Sequence, residues 1–150
     1  MRTTEAVGNE KITGGDGIAW KRLPLAVLLA AVAAAVANAL IYFAASALGL
    51  IPQSALIPTA VGESPLTVGM VVIVSVIGAV GAAIVFAVIG LFARRPVRLF
   101  RVVAVVVLVL SFATPLTIPG APLSMILSME VMHVVAWAVI VGLLTTVARR

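Results

Sequence analysis

Two stretches of 26 residues each, 25–50 and 68–93, contain no charged side chain at all. As helices with a 1.5 Å rise per residue, each is about 39 Å long, enough to cross a roughly 30 Å hydrocarbon core with some tilt. A third apolar run extends from near Phe100 to about Leu116. A fourth, from Leu123 to Val147, is interrupted only by Glu130 and His133. A chain of 150 residues ordinarily makes one soluble domain, and soluble domains carry about 25% charged residues. Here only 10% are charged and 63% are hydrophobic. Too few charges remain to cover a water-exposed surface, so lipid must take that role. The expected fold is all-α, an integral membrane four-helix bundle.

The breakers agree with the hydropathy. All eight prolines lie at or near segment ends. Pro24 suits the first turn of a helix, where a missing N–H costs little. Pro52, Pro58 and Pro65 mark a connector over 51–67, apolar in its middle and carrying a single charge, Glu63. Pro96 follows Arg94 and Arg95, and Pro115, Pro119 and Pro122 break the chain between the third and fourth spans. Residues 1–22 read as a disordered polar tail rich in glycine, closed by the Trp20, Lys21 and Arg22 collar of a membrane interface. The domain proper is 23–150. A cleaved signal peptide with Ala35-Val36-Ala37 as its recognition site is the alternative. It leaves only 38–51 as apolar remainder and needs an unusually long basic region.

Orientation follows from the basic residues. Arg2, Lys11, Lys21 and Arg22 precede the first span, Arg94, Arg95, Arg98 and Arg101 lie around the connection between the second and third, and Arg149 and Arg150 follow the fourth. The other two connections have none. Under the positive-inside rule both termini face the cytoplasm, in the cell (inner or plasma) membrane. The net charge of +5 sits in clusters that flank apolar segments, which suits anionic headgroups and not nucleic acid. The absence of cysteine removes disulfides and thiolate chemistry.

Helices in lipid associate through close packing of small residues and interhelical hydrogen bonds. The second span provides Ser75, Ala79, Ala83 and Ala87 every four residues, with Gly78 and Ala82 beside them. The first provides Ala30, Ala34, Asn38, Tyr42 and Ser46. These stripes mark the inward faces. The third span, a valine and leucine run from Val102 to Leu110, has almost no small residues and is expected to show more of itself to lipid or to a partner.

Ionisable groups inside a span are costly and are functional candidates by default. Glu130 and His133, at i,i+3 on one helix face, are the two such groups. Entering from Leu123, Glu130 lies about 10 Å deep and His133 about 15 Å; Asn38 and Tyr42 fall at about 18 and 12 Å from the same side. Ser75 and Ser111 lie at comparable depths, so the polar groups of all four spans are expected to converge in the outer half of the bundle. As a functional site, Glu130 and His133 would exchange a proton or bind a small polar or cationic ligand. As a structural network, Asn38 and Tyr42 would satisfy them across the helix interface.

No metal or cofactor is expected. Glu-x-x-His in four-helix di-iron proteins occurs twice, with two further glutamates; here it occurs once. A single histidine excludes a bis-histidine haem within one chain, leaving only His133 with Met70 or Met125 as a haem pair. No nucleotide loop, serine or cysteine catalytic set, or glycosidase carboxylate pair is present, and no residue argues for an enzyme.

Three stretches carry a resemblance: AAAVANALIYF with Asn38, RLFRVVAVVVLVLSFATPL with Ser111 and Pro115, and MHVVAWAVIVGLL with Met132 and His133. Over about 24–147 the chain resembles an uncharacterised family of small four-helix prokaryotic membrane proteins, known only as a domain of unknown function. The resemblance implies fold and topology and no activity. Small four-helix multidrug exporters look different, with a glutamate in the first span and a weak charge bias. The leading expectation is a non-catalytic membrane or accessory subunit within a larger membrane complex. The second is a small proton-linked transporter or ligand-binding protein, working as a homo-oligomer through the Glu130 and His133 cluster.

Overall fold

The computed structural model describes residues 17–52, 54, 56–59 and 62–150. Four of its helices are long and apolar enough to cross a membrane. The first, α1, runs from Leu23 to Ala47, with Pro24 in its first turn and a single 3-10 turn, Trp20–Arg22, leading in. Its end is built by Gly49, at φ 69°. That left-handed residue lets Leu50 N–H reach the Ala45 carbonyl and Gly49 N–H reach the Ser46 carbonyl, which together satisfy carbonyls the helix would otherwise leave open.

The connector is not featureless. Leu56–Thr59 (β1) and Gly62–Pro65 (β2) form an antiparallel ribbon in which Ile57 faces Ser64 and Pro58 faces Glu63. A two-stranded ribbon consists of edges only, so Pro58 and Pro65 can sit in it without breaking a ladder on both sides. Ile57 and the following Leu66 are buried, and they cap the bundle end.

The second long helix, α2, spans Val68–Phe92, with Thr67 Oγ1 accepting from Met70 N–H as its N-cap. Next, α3 (Pro96–Ser111) opens on proline and is separated at Phe112 from the single turn α4 (Ala113–Leu116). Pro115 explains the break: it has no N–H, and its ring crowds the Ser111 carbonyl four residues back. The expected third span, about 100–116, is therefore a helix that starts earlier and breaks before its end. The last helix, α5, covers Leu123–Val147.

Helix α1 packs most extensively on α2 and α5, while α3 lies against α2 and α5 on the other side. Small residues make the tight contacts. Ala26, Ala30, Ala34, Ala79 and Ala83 are buried in one cluster with Phe86 and Phe100, whose rings lie 4.8 Å apart. A second cluster at the hairpin end gathers Tyr42, Ile57, Leu66, Val71, Met125 and Met132. The third span is the least buried of the four. Val102, Val105, Val106 and Val109 on α3 are exposed, as are Leu28, Val32 and Leu40 on α1 and Ile73 and Ile77 on α2. Such surfaces require an apolar surrounding.

The first described residues meet the C-terminal end. Ile18 bridges Arg149, Ala19 N–H donates to the Ala148 carbonyl and Arg150 N–H to that of Gly17. Ile18 also lies against Gly90, close to the Arg94 and Arg95 turn. Arg101 donates to Thr145 Oγ1 at 3.2 Å, tying α3 to α5 near the same end. Of the expected tail of 1–22, residues 17–22 form this bridge and the Trp20–Arg22 turn, and residues 1–16 lie outside the described ones. At the opposite end, Ser124 Oγ donates to the Leu50 carbonyl and locks the start of α5 to the exit of α1.

Candidate functional site

Because α3 rests on α2 and α5 while those two helices grip α1, a space opens on the α3 side. It is a cleft of about 570 Å³, partly open to the outside of the bundle. Small-molecule sites are typically about 300–1,000 Å³. The walls are largely aliphatic, with Val74, Val85, Val107 and Leu108 among them, and the polar groups are few: Asn38, Ser75, Ser111, Thr114, His133 and Trp137.

Two glycines shape its α2 wall. A Cβ added at Gly78 or Gly81 would meet nothing within 4 Å. Gly78 therefore departs from the helix-packing role expected of it, since it faces the cleft and not a neighbouring helix. Ala79 and Ala83, on the other face of α2, are buried, and Ala87 is half-buried.

At the back of the cleft, Asn38 and Ser75 form a buried interhelical pair. Asn38 Nδ2 donates to Ser75 Oγ at 3.0 Å, and Ser75 Oγ donates to the Val71 carbonyl at 2.7 Å. The serine has one proton and has committed it, so its oxygen can only accept from Asn38. This leaves Asn38 Oδ1 turned away from Ser75, buried and without a partner.

His133 is held within its own helix. Its Nδ1 lies 2.7 Å from the Met129 carbonyl. A carbonyl only accepts, so Nδ1 carries a proton, and in the neutral ring Nε2 is an acceptor. Nε2 has no partner among the described residues and is not enclosed. Trp137, one turn further along α5, has a buried Nε1–H that is also unpaired.

The expected cross-helix network is rearranged. No hydrogen bond or ion pair joins Glu130 to His133, and neither Asn38 nor Tyr42 reaches them. Tyr42 donates instead to the Leu66 carbonyl at 3.0 Å, fixing the hairpin exit to α1. Glu130 stands outside the lining of the cleft, with Oε2 buried and unpartnered. Ser111 donates to the Leu108 carbonyl within α3, at the rim of the kink. Spacing on α5 did place Glu130 and His133 on one side. It could not say that His133 would turn back to the carbonyl four residues before it. Thr114 and the glycine wall were missed; Gly78-x-x-Gly81 was the available signal, and it reads equally well as packing.

The profile of a family of unknown function, DUF6069, matches residues 19–150. The chain belongs to the DUF6069 family. The match takes in all four long helices of this DUF6069 chain, together with every cleft residue and the three stretches that carried the resemblance. No curated protein and no solved structure matches it.

Proposed function

We propose that this protein is a non-catalytic, four-span protein of the cell membrane that takes a hydrophobic molecule from the bilayer into the cleft between α2, α3 and α5. The cleft itself carries the proposal: it is of ligand size, aliphatic over most of its wall and supplied with a few inward polar groups. An apolar opening within a spanning helix bundle is reached from lipid and not from water. The hydroxyls of Ser75 and Ser111 both donate to backbone carbonyls. Neither is activated by a base, which supports binding over acyl-transfer chemistry.

Both termini are assigned to the cytoplasmic side. The described basic residues of both termini and of the Arg94 and Arg95 turn gather at one end, where Ile18 meets Arg149 and Gly90. An accessory-subunit role draws on the exposed valines of α3. Lipid covers that face as well as a partner would, so the cleft is the better guide. A vesicle phospholipid bearing a diazirine in its acyl chain tests the reading. On illumination it should label the cleft residues Ala82 and Ala136, and Gly78→Leu, which fills the cleft, should remove that label. Unchanged labelling in the variant, or none at these residues in the parent, would refute the proposal.

A further inference from the structure

We infer that the cleft selects a lipid-soluble molecule carrying a hydroxyl group, an alcohol or phenol, which donates its proton to His133 Nε2. This rests on the reading of the cleft as a binding site and adds the chemistry of what it selects. Two acceptors stand unpartnered beside the space, one open to it and one enclosed. His133 Nδ1–H is committed to the Met129 carbonyl, so Nε2 offers a lone pair, unpartnered and accessible. Ser75 has given its proton to Val71, so Asn38 must use Nδ2 on Ser75 and keep Oδ1 as a second, more deeply enclosed acceptor. Both results follow from counting protons, and the open acceptor, His133 Nε2, calls for a donor on the ligand.

A hydroxyl in hydrocarbon has no partner, which costs about 4–8 kcal/mol on the water-to-cyclohexane scale. A hydroxyl-bearing molecule dissolved in lipid therefore gains by moving to an acceptor that its surroundings lack. An ether or hydrocarbon of the same shape gains only wall contacts. Glu130 does not line the cleft, so the selection is made by neutral acceptors and not by charge.

The chain has two tryptophans, so Trp20→Phe leaves Trp137 as the sole fluorescent reporter in the cleft. The full-length variant in phosphatidylcholine vesicles is titrated with a ring-brominated alkylphenol and, separately, with its O-methyl ether, at matched membrane concentrations. Bromine quenches the indole it approaches. The phenol should quench Trp137 at about tenfold lower membrane concentration than the ether, the size of one net hydrogen bond. His133→Leu should erase the difference, and His133 bonds only within its own helix, so the bundle does not depend on it. Equal quenching by phenol and ether, or a preference that survives His133→Leu, overturns this inference and leaves the cleft as a site. Should both compounds quench no more than in a Gly78→Leu background, the cleft reading itself fails. If His133→Leu does not fold, the comparison of phenol with ether in the parent still decides.

Discussion

One inserted side chain, placed at two positions of α2, separates the packed face of this helix from its cleft face. Ala83 is 6% exposed and belongs to the cluster that holds Ala26, Ala30, Ala34 and Phe86. Ala83→Ile adds three carbons where no space is left, and overpacking of this kind costs about 1–3 kcal/mol. Gly78 lies five residues earlier, and a Cβ there meets nothing within 4 Å. Gly78→Ile fills open volume and removes a helix-interior glycine, a gain of roughly 0.5 kcal/mol from propensity. The two variants should therefore differ by about 1.5–3.5 kcal/mol in opposite directions from the parent. Unfolding of the purified protein in mixed detergent and SDS measures the difference. Equal destabilisation would mean that α2 packs on both faces and that the cleft closes in solution. Two stable variants would mean that Ala83 faces lipid.

Other substitutions read the polar groups one at a time. Asn38→Leu breaks the bond to Ser75 but also removes the unpaired Oδ1, so the net loss should stay below about 1 kcal/mol, near the average of about 0.6 for interhelical hydrogen bonds in membranes; a loss several times larger in the same unfolding assay would show a wider network. Glu130→Gln removes an ionisable group whose Oε2 has no partner, and should leave the midpoint unchanged or raise it, so a clear fall would reveal a bond to the carboxylate. For topology, a cytoplasm-active reporter after Arg150 and a periplasm-active reporter at Gly62 should both be active, and cytoplasmic activity at Gly62 would break the four-span arrangement.

The parts of this fold that were legible share one cause. Long apolar runs bounded by arginine, glycine or proline leave the backbone no choice in lipid but to satisfy itself as helix, and α2 and α5 start at Val68 and Leu123 as those boundaries imply. The similar depths of Asn38 and Ser75 were legible too, because depth follows from counting residues along a helix. Three features were not. The ribbon of 56–59 and 62–65 was hidden by Pro58 and Pro65, which argue against strands unless the ribbon has no central strand. The partner chosen by His133 depends on a side-chain torsion, and helical spacing does not encode that choice between Glu130 and the Met129 carbonyl. The cleft depends on where α3 settles. A valine-rich helix with few small residues cannot approach its neighbours closely, but that states a looseness and not its location.

On the proposed reading, the bundle encloses a space which lipid-soluble molecules enter from the bilayer. Trp137 lies in that space on α5 and Trp20 lies outside it, in the turn before α1. In the Trp20→Phe protein, reconstituted in phosphatidylcholine whose acyl chains carry bromine near their middle, the fluorescence of Trp137 reports directly on entry. Strong quenching, relieved when Gly78→Leu fills the cleft, is the predicted result. Fluorescence as bright in brominated as in ordinary lipid would mean that the space is sealed, and the proposed site with it.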